Sequence, residues 1–290
     1  EEAEAAYRRA IALDEKDAYP WNGLGNVLSD QGQAEEAEAA YRRAIALDEK
    51  YAYPWNGLGA VLRDQGRNEE AEAAYRRAIA LDEKDAYPWN GLGNVLSDQG
   101  QAEEAEAAYR RAIALDEKDA TPWNGLGNVL RAQGQYEEAE AAYKKALELP
   151  DSLGTPASAH TLVWNSLGTL CQLDGRLEEA LQAQEQAVAI DPEKASYRGS
   201  LASVLRQLGR IKDAETHLAR GRAMLEKENE YNKACFEAIA GNAEAALTHL
   251  TNALEQAPGN RAWAARDPDL ASLHGDPRFD ALVGNIPDGS

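Results

Sequence analysis

Apolar residues along this chain recur with a helical rhythm that glycine interrupts at a fixed interval. In residues 86–119, Trp89, Leu92, Gly93 and Leu96 fall on one stripe of a first helix. Pro88 sits in its first turn, where a missing N–H costs nothing. Gly100 then breaks the spacing, the place for a left-handed residue that ends a helix and turns the chain. Ala105, Ala108, Tyr109, Ala112 and Ile113 form a second stripe and predict a second helix over 102–115. Its alanines permit close helix approach and its tyrosine fills the wider gap. Glu103 and Glu104 suit the positive start of that helix, and Arg110 and Arg111 the part nearer its negative end.

The same punctuation returns along the whole chain. Trp21, Trp55, Trp89 and Trp123 are spaced by 34 positions, and residues 1–50 reappear letter for letter as residues 69–118. Full units begin near Ala18, Ala52, Ala86, Ala120, Thr161 and Ala195, with a looser one near Lys227. The turn glycine recurs at Gly32, Gly66, Gly100, Gly134, Gly175, Gly209 and Gly241. A period of this length means stacked units, each touching only its neighbours, rather than one closed core. The Trp, Leu-Gly, Gly, Ala, Tyr and Ala at these offsets resemble the tetratricopeptide repeat. The resemblance implies an all-α fold, a right-handed superhelical α-solenoid of stacked helix-turn-helix repeats.

Five segments follow. Residues 1–17 are the second helix of a truncated repeat, 18–149 four near-identical repeats, 150–160 a loop insertion, 161–258 three diverged repeats, and 259–290 a C-terminal capping segment. The insertion stretches the Trp123-to-Trp164 spacing to 41. Glu49, Glu83 and Glu117 replace the proline that usually follows the second helix, so the early second helices are expected to run on slightly. The last segment resembles tails that close bacterial tetratricopeptide arrays. Asp-Pro turns there would carry short helices, with Leu270, Leu273, Phe279 and Leu282 covering the final unit at a true C-terminus. At the other end the chain starts without Met, halfway through a repeat, and reads as a fragment whose Tyr7, Ala10 and Ile11 lie uncovered.

Charge narrows the partners. Fifty acids against 30 bases give a net charge of −20, which repels phosphates and argues against nucleic acid and anionic membranes. Protein or peptide partners of neutral or basic character are favoured. No apolar run reaches the ~18–20 residues of a membrane span, and the cytoplasm is the default location. Two cysteines, Cys171 and Cys235, form neither a disulfide framework nor a zinc motif, and four scattered histidines lack any ligand spacing. The recurring GLG is part of a helix stripe without a preceding strand, so it is no phosphate loop. No catalytic residue, cofactor or metal is expected.

In the tetratricopeptide family the first helices line a concave groove. With the Trp89 and Leu92 stripe turned inward, the groove candidates are Tyr19, Tyr53 and Tyr87; Asn22, Asn56, Asn90, Asn124 and Asn165; and Asn26, Asn94 and Asn128. An asparagine amide holds both donor and acceptor and can pair with any peptide unit. Such a ladder reads backbone; the alternative for the second asparagine row is packing of one unit on the next, and for the tyrosines a staple at the helix start, while the first asparagine row points more to a ligand. Asp30, Asp64 and Asp98 add a preference for Lys or Arg in the partner. Near-identical units make a uniform track and a poor active site, which needs unlike groups to converge. The leading reading is a non-catalytic interaction scaffold that binds an extended peptide or helix, the sensor or recruitment region of a larger bacterial protein. The alternatives are a spacer or end-to-end array without a groove ligand, associating through the exposed first helix, and the recruiting part of an enzyme whose catalytic domain lies outside the chain.

Overall fold

The computed structural model describes residues 2–150 and 159–284. The described residues are all helix and turn, in 17 α-helices and three short 3-10 segments. Packing divides the chain into two units, Glu1–Glu117 and Lys118–Ser290.

The first unit contains α1 (Glu2–Leu13), α2 (Ala18–Asp30), α3 (Ala34–Leu47), α4 (Ala52–Asp64), α5 (Asn68–Leu81), α6 (Ala86–Asp98) and α7 (Ala102–Leu115). Each first helix pairs with its second, α2 with α3, α4 with α5 and α6 with α7, and the first helices α2, α4 and α6 touch in a row. Turn glycines behave as the spacing predicts: Gly32 has φ 74° and Gly100 φ 77°, and Gln33 and Gln101 donate back to the carbonyls of Leu28 and Leu96. A tyrosine on each second helix is the hinge of the packing. Tyr41 lies on Gly25 and Gly57, so that a Cβ on Gly57 would stand 2.5 Å from its ring, and Tyr75 lies likewise on Gly59 and Gly91. These rings are almost wholly buried among alanines of near-zero exposure, Ala37, Ala44, Ala71 and Ala78.

Two expectations for this unit change. The second helices stop at Leu47, Leu81 and Leu115, and α11 (Leu177–Ile190), which a proline follows, stops at the same repeat position. Proline is therefore not what ends them. The next residue, Asp48, Asp82 or Asp191, leaves the helical region, and its carboxylate accepts the N–H two residues on, from Lys50, Lys84 or Glu193. The first helix is only partly uncovered: Tyr7 stays 37% exposed although its ring lies against Gly23 of α2, Ala10 and Ile11 are half-buried, and Leu13 is 89% exposed.

The second unit contains α8 (Ala120–Ala132), α9 (Tyr136–Glu148), α10 (Ala159–Leu173), α11, α12 (Ala195–Gln207), α13 (Ile211–Arg222), α14 (Glu230–Ile239) and α15 (Ala243–Gln256). The expected insertion at 150–160 ends inside α10, and its residues 151–158 lie outside the described ones. A tail follows, with α16 (Arg261–Ala264), a 3-10 segment Pro268–Leu273 and α17 (Pro277–Val283). Leu270, Leu273 and Phe279 join Ala234, Leu247, Leu250 and Leu254 in one buried cluster, with Leu282 at its margin, so the tail does cover the last helix pair. It also does more: the 3-10 segment contacts α10 and α12 as well as α14.

Candidate functional site

In the first unit the candidate residues sit on the first helices, and the helix starts decide how they are held. Asp17 and Asp85 cap α2 and α6, accepting from the backbone N–H of Tyr19 at 2.9 Å and of Tyr87 at 3.0 Å. Those caps fix the first turns from which Tyr19 and Tyr87 project, each 69% exposed, and Tyr53 projects from α4 with 59% exposure. At α4 the capping position is held by Tyr51, and no side chain caps the helix. Tyr51 instead stacks on Tyr19, ring centroids 4.8 Å apart, and meets Tyr53 edge-on at 5.8 Å. Burial, with the neighbouring Tyr19 and Tyr53, pushes its hydroxyl up to about 12. The signal in the sequence was the single break in the series Asp17, Tyr51, Asp85, Asp119.

The two asparagine rows divide. Asn26 and Asn94 each accept a hydrogen bond from a tyrosine hydroxyl, Tyr41 at 2.7 Å and Tyr109 at 2.8 Å, and Asn128 of α8 does the same for Tyr143 at 2.8 Å. This row locks the helix pair. In the other row Asn22 and Asn90, and in the second unit Asn124 and Asn165, are half-buried with an amide oxygen that is sealed and lacks a partner. Asn56 occupies the same repeat position and is also half-buried. The acceptor end of these four amides is turned into the protein, so the ladder does not present both ends of each amide to a ligand.

The aspartates are unequal too. Asp98 is engaged by Arg63, Nε to Oδ2 2.7 Å, and the pair pushes the Arg63 guanidinium up against the effect of its burial. Asp30 and Asp64 are exposed and, among the described residues, make no ion pair. Ala60 stands where α2 and α6 have Asn26 and Asn94, and Arg63 where they have Ser29 and Ser97, so within the first unit this repeat lacks the amide and carries a cation on the same face.

The second unit holds a site that no motif announced. The tail and the first helices α8, α10, α12 and α14 enclose a cavity of about 340 Å³. Trp263 on α16 faces Arg131 of α8, the guanidinium 3.9 Å from the ring centroid. Asp267 caps the 3-10 segment, accepting from the Asp269 N–H at 3.0 Å, and its other oxygen accepts from the Tyr231 hydroxyl at 3.0 Å and the Cys235 thiol at 3.7 Å. Asp269 accepts from Ser200 at 3.0 Å through one oxygen; the other is buried without a partner. Burial and then the neighbouring Asp267 charge push the Asp269 carboxyl up to about 7, against the Ser200 and Ser203 hydroxyls, and burial raises Asp267 as well. Asn165, counted above with the ladder, is part of this cavity's wall.

Comparison with known proteins places the fold. Residues 1–160 match the family model of the cilia and flagella-associated protein 70 C-terminal domain, a tetratricopeptide region, and residues 163–227 match the tetratricopeptide repeat model. The chain belongs to the tetratricopeptide repeat family. Among solved structures, the APC/C hetero-tetramer Cut9–Hcn1 is similar with a TM-score of 0.72 and 20% identity, covering 83% of this chain and 45% of that one. This chain therefore spans less than half the length of that protein. PilF of Pseudomonas aeruginosa (TM-score 0.55, 20% identity, 75% of this chain and 96% of that one) and the thermophilic protein TTC0263 of Thermus thermophilus (0.55, 23%, 65% and 98%) share the fold. No curated protein sequence matches the chain. Members of the family are typically non-catalytic scaffolds for protein–protein interaction. Among the described residues no helix is long and apolar enough to cross a membrane.

Proposed function

We propose that the first-helix face of residues 1–117 binds an extended peptide of a protein partner. The observation that carries this reading is the register of Tyr19, Tyr53 and Tyr87, large rings that are 59–69% exposed at one position of consecutive repeats. Exposed aromatics in a row are contact surface rather than core, with a polar hydroxyl at the outer end. Beside them, amides with sealed oxygens meet a ligand through their N–H₂ ends, as donors to the carbonyls of an extended chain. A net charge of −20 with Asp30 and Asp64 unpaired favours a neutral or basic peptide over nucleic acid or an anionic membrane. Because Arg63 neutralises Asp98, the basic preference is concentrated on the first two full repeats.

A peptide array of extended sequences probed with the whole chain tests this. Replacing Tyr19, Tyr53 and Tyr87 together by Ala should weaken the selected peptides by roughly 10-fold or more, the loss of about one anchor's worth of contact. Helical content and melting should hold, since these rings are exposed. Asn56→Ala with Asn90→Ala should weaken binding further. No selected peptide, or undiminished binding by the tyrosine variant, removes the reading. A second reading, end-to-end association through α1, is favoured by the 89% exposure of Leu13 beside the partly covered Tyr7. Sedimentation over a concentration series with Leu13→Glu separates it from a monomer.

A further inference from the structure

We propose that the peptide held by the first-helix face of residues 1–117 is a proline-rich segment in the polyproline II conformation, with a proline at every third position resting on Tyr19, Tyr53 and Tyr87. This inference rests on the peptide reading above and narrows it to one backbone geometry. Two features of the face select that geometry, the spacing of its rings and the hydrogen-bonding groups beside them.

The exposed rings stand at the same position of α2, α4 and α6, consecutive first helices that touch in a row. Packed helices lie ~8–10 Å apart, so a peptide crossing them meets a tyrosine at each such step. A polyproline II chain has about three residues per turn and rises ~3.1 Å per residue, which returns a side chain to one face every ~9 Å. A β-extended chain does so every ~7 Å and is out of step by the third helix. The match places residues i, i+3 and i+6 of a polyproline helix on the three rings. Tyr51 strengthens the first step: it stacks on Tyr19 at 4.8 Å and meets Tyr53 at 5.8 Å, so aromatic surface is continuous from one helix start to the next. In the sequence the next repeat carries Thr121 at this position, which limits the ring row to three turns of ligand.

What the face donates and accepts points the same way. One helical turn beyond the rings, Asn22 and Asn90 have their amide oxygens sealed in the protein, which leaves the N–H₂ ends as donors. At Asn22 that end reaches the Tyr51 hydroxyl and works against the upward push of burial on it, so donor and ring lie together. A chain of ordinary residues carries a backbone N–H at every position and needs acceptors in return. Proline has no N–H, and its carbonyl is the group this row can answer. A polyproline helix is also largely formed in the free peptide, so laying it across exposed rings costs little further ordering. Asp17 and Asp85, which cap the helix starts beside Tyr19 and Tyr87, favour lysine or arginine over acids in the flanking positions.

Fluorescence anisotropy of dye-labelled peptides titrated with the whole chain is the test. KPAAPAAPK, with its prolines in the inferred register, should bind roughly 3- to 10-fold tighter than KPAPAAAPK, which has the same composition with one proline moved by one place, the value of one aromatic contact. It should bind roughly 10-fold or more tighter than the proline-free KAAAAAAAK. Replacing Tyr19, Tyr53 and Tyr87 together by Thr, the residue the next repeat carries at this position, should remove both preferences with helical content unchanged, since the rings are exposed. Equal binding of KPAAPAAPK and KPAPAAAPK, or equally tight binding of the proline-free peptide, would overturn the polyproline register and leave the peptide reading standing. Undiminished preference in the threonine variant would overturn it as well. So would no binding by any of the three peptides, and the peptide array then decides separately whether the broader reading survives.

Discussion

The two units use one helix-pair scaffold for opposite ends. In residues 1–117 every second helix offers the same tyrosine to the same glycines, and what differs between the full repeats is confined to a few positions, Tyr51, Ala60, Arg63, Arg67 and the buried Asn68. In residues 118–290 the interior itself has changed. Gln184 takes the place of the tyrosine, fully buried, with its amide donating to the Asn165 carbonyl at 3.2 Å, and Phe236 fills the space beside Gly199 and Gly221. A tail then crosses the first helices and encloses polar groups there. Repetition leaves a face open and uniform, while divergence makes a face closed and particular.

The sharpest break between the units should be their response to pH. Asp269 is pushed from 3.8 up to about 7 in the folded chain, so between those values the folded state keeps a proton that the unfolded state has released. A raised carboxyl contributes stability that is complete below the unfolded pKa and is lost as pH rises to the folded one. Melting of the second unit should therefore fall as pH climbs from about 4 to 7, by up to ~1.4 kcal/mol per unit, then level off. His217, depressed chiefly by burial, acts in the opposite sense around its own range. The difference between wild type and Asp269→Asn isolates that carboxyl: the variant should keep only the part of the slope that the raised Asp267 contributes. In the first unit the shifted acids, Glu38 and Glu70 among them, are lowered by their arginine partners, so there stability is lost only as pH falls below the ordinary carboxylate range. Equal slopes in wild type and Asp269→Asn would mean that the acid pair is solvated.

Packing offers the next contrast. A Cβ on Gly93 would stand 2.7 Å from the Tyr109 ring, which is 2% exposed and hydrogen-bonded at its tip to Asn94. Gly93→Ala gains about 1 kcal/mol of helix propensity but overpacks a ring that cannot move, and should destabilise by ~1–3 kcal/mol net of that gain. On Gly199 the nearest atom is Phe236 Cδ2 at 3.2 Å, a clash of a few tenths of an ångström. Gly199→Ala should be close to neutral in denaturant midpoint. Similar costs at both sites would mean that the first unit's rings have room to shift.

What could be read beforehand followed the same division. The 34-residue rhythm, the seven turn glycines and the second helix over 102–115 were legible because local chemistry dictates them: stripe spacing, a left-handed glycine and close-packed alanines. Where repeats agree, one residue's environment predicts the next. The fate of the amides was not legible, because a side chain on the exposed face of a helical wheel can still turn its oxygen inward against the neighbouring helix. The cavity was not legible either. Arg131, Asn165, Ser200, Tyr231 and Asp269 carry no common motif, and Asp267 and Asp269 belong to a turn whose local role as a helix cap is satisfied. Only the tail's path across the first helices buries them.

Tyr51 joins stability and binding in one residue. Its counterparts Asp17, Asp85 and Asp119 each accept a backbone N–H at the start of a first helix, and α4 alone among these four starts without that bond. Restoring it with Tyr51→Asp should raise the stability of the first unit by about 1 kcal/mol, within the ~0.5–2 kcal/mol range of such caps, seen as a higher denaturant midpoint. The same change removes the ring that joins Tyr19 to Tyr53. If the tyrosine row is a binding surface, the more stable variant should bind the selected peptides less tightly, by roughly 3- to 10-fold for one aromatic contact of ~0.5–1.5 kcal/mol. Tyr51→Phe separates the two effects, since it keeps the stack and supplies no cap: midpoint and affinity should both stay near wild type. A Tyr51→Asp chain that is more stable and binds equally well would show that the stack is packing between helix starts and that the peptide, if held, lies elsewhere along the row.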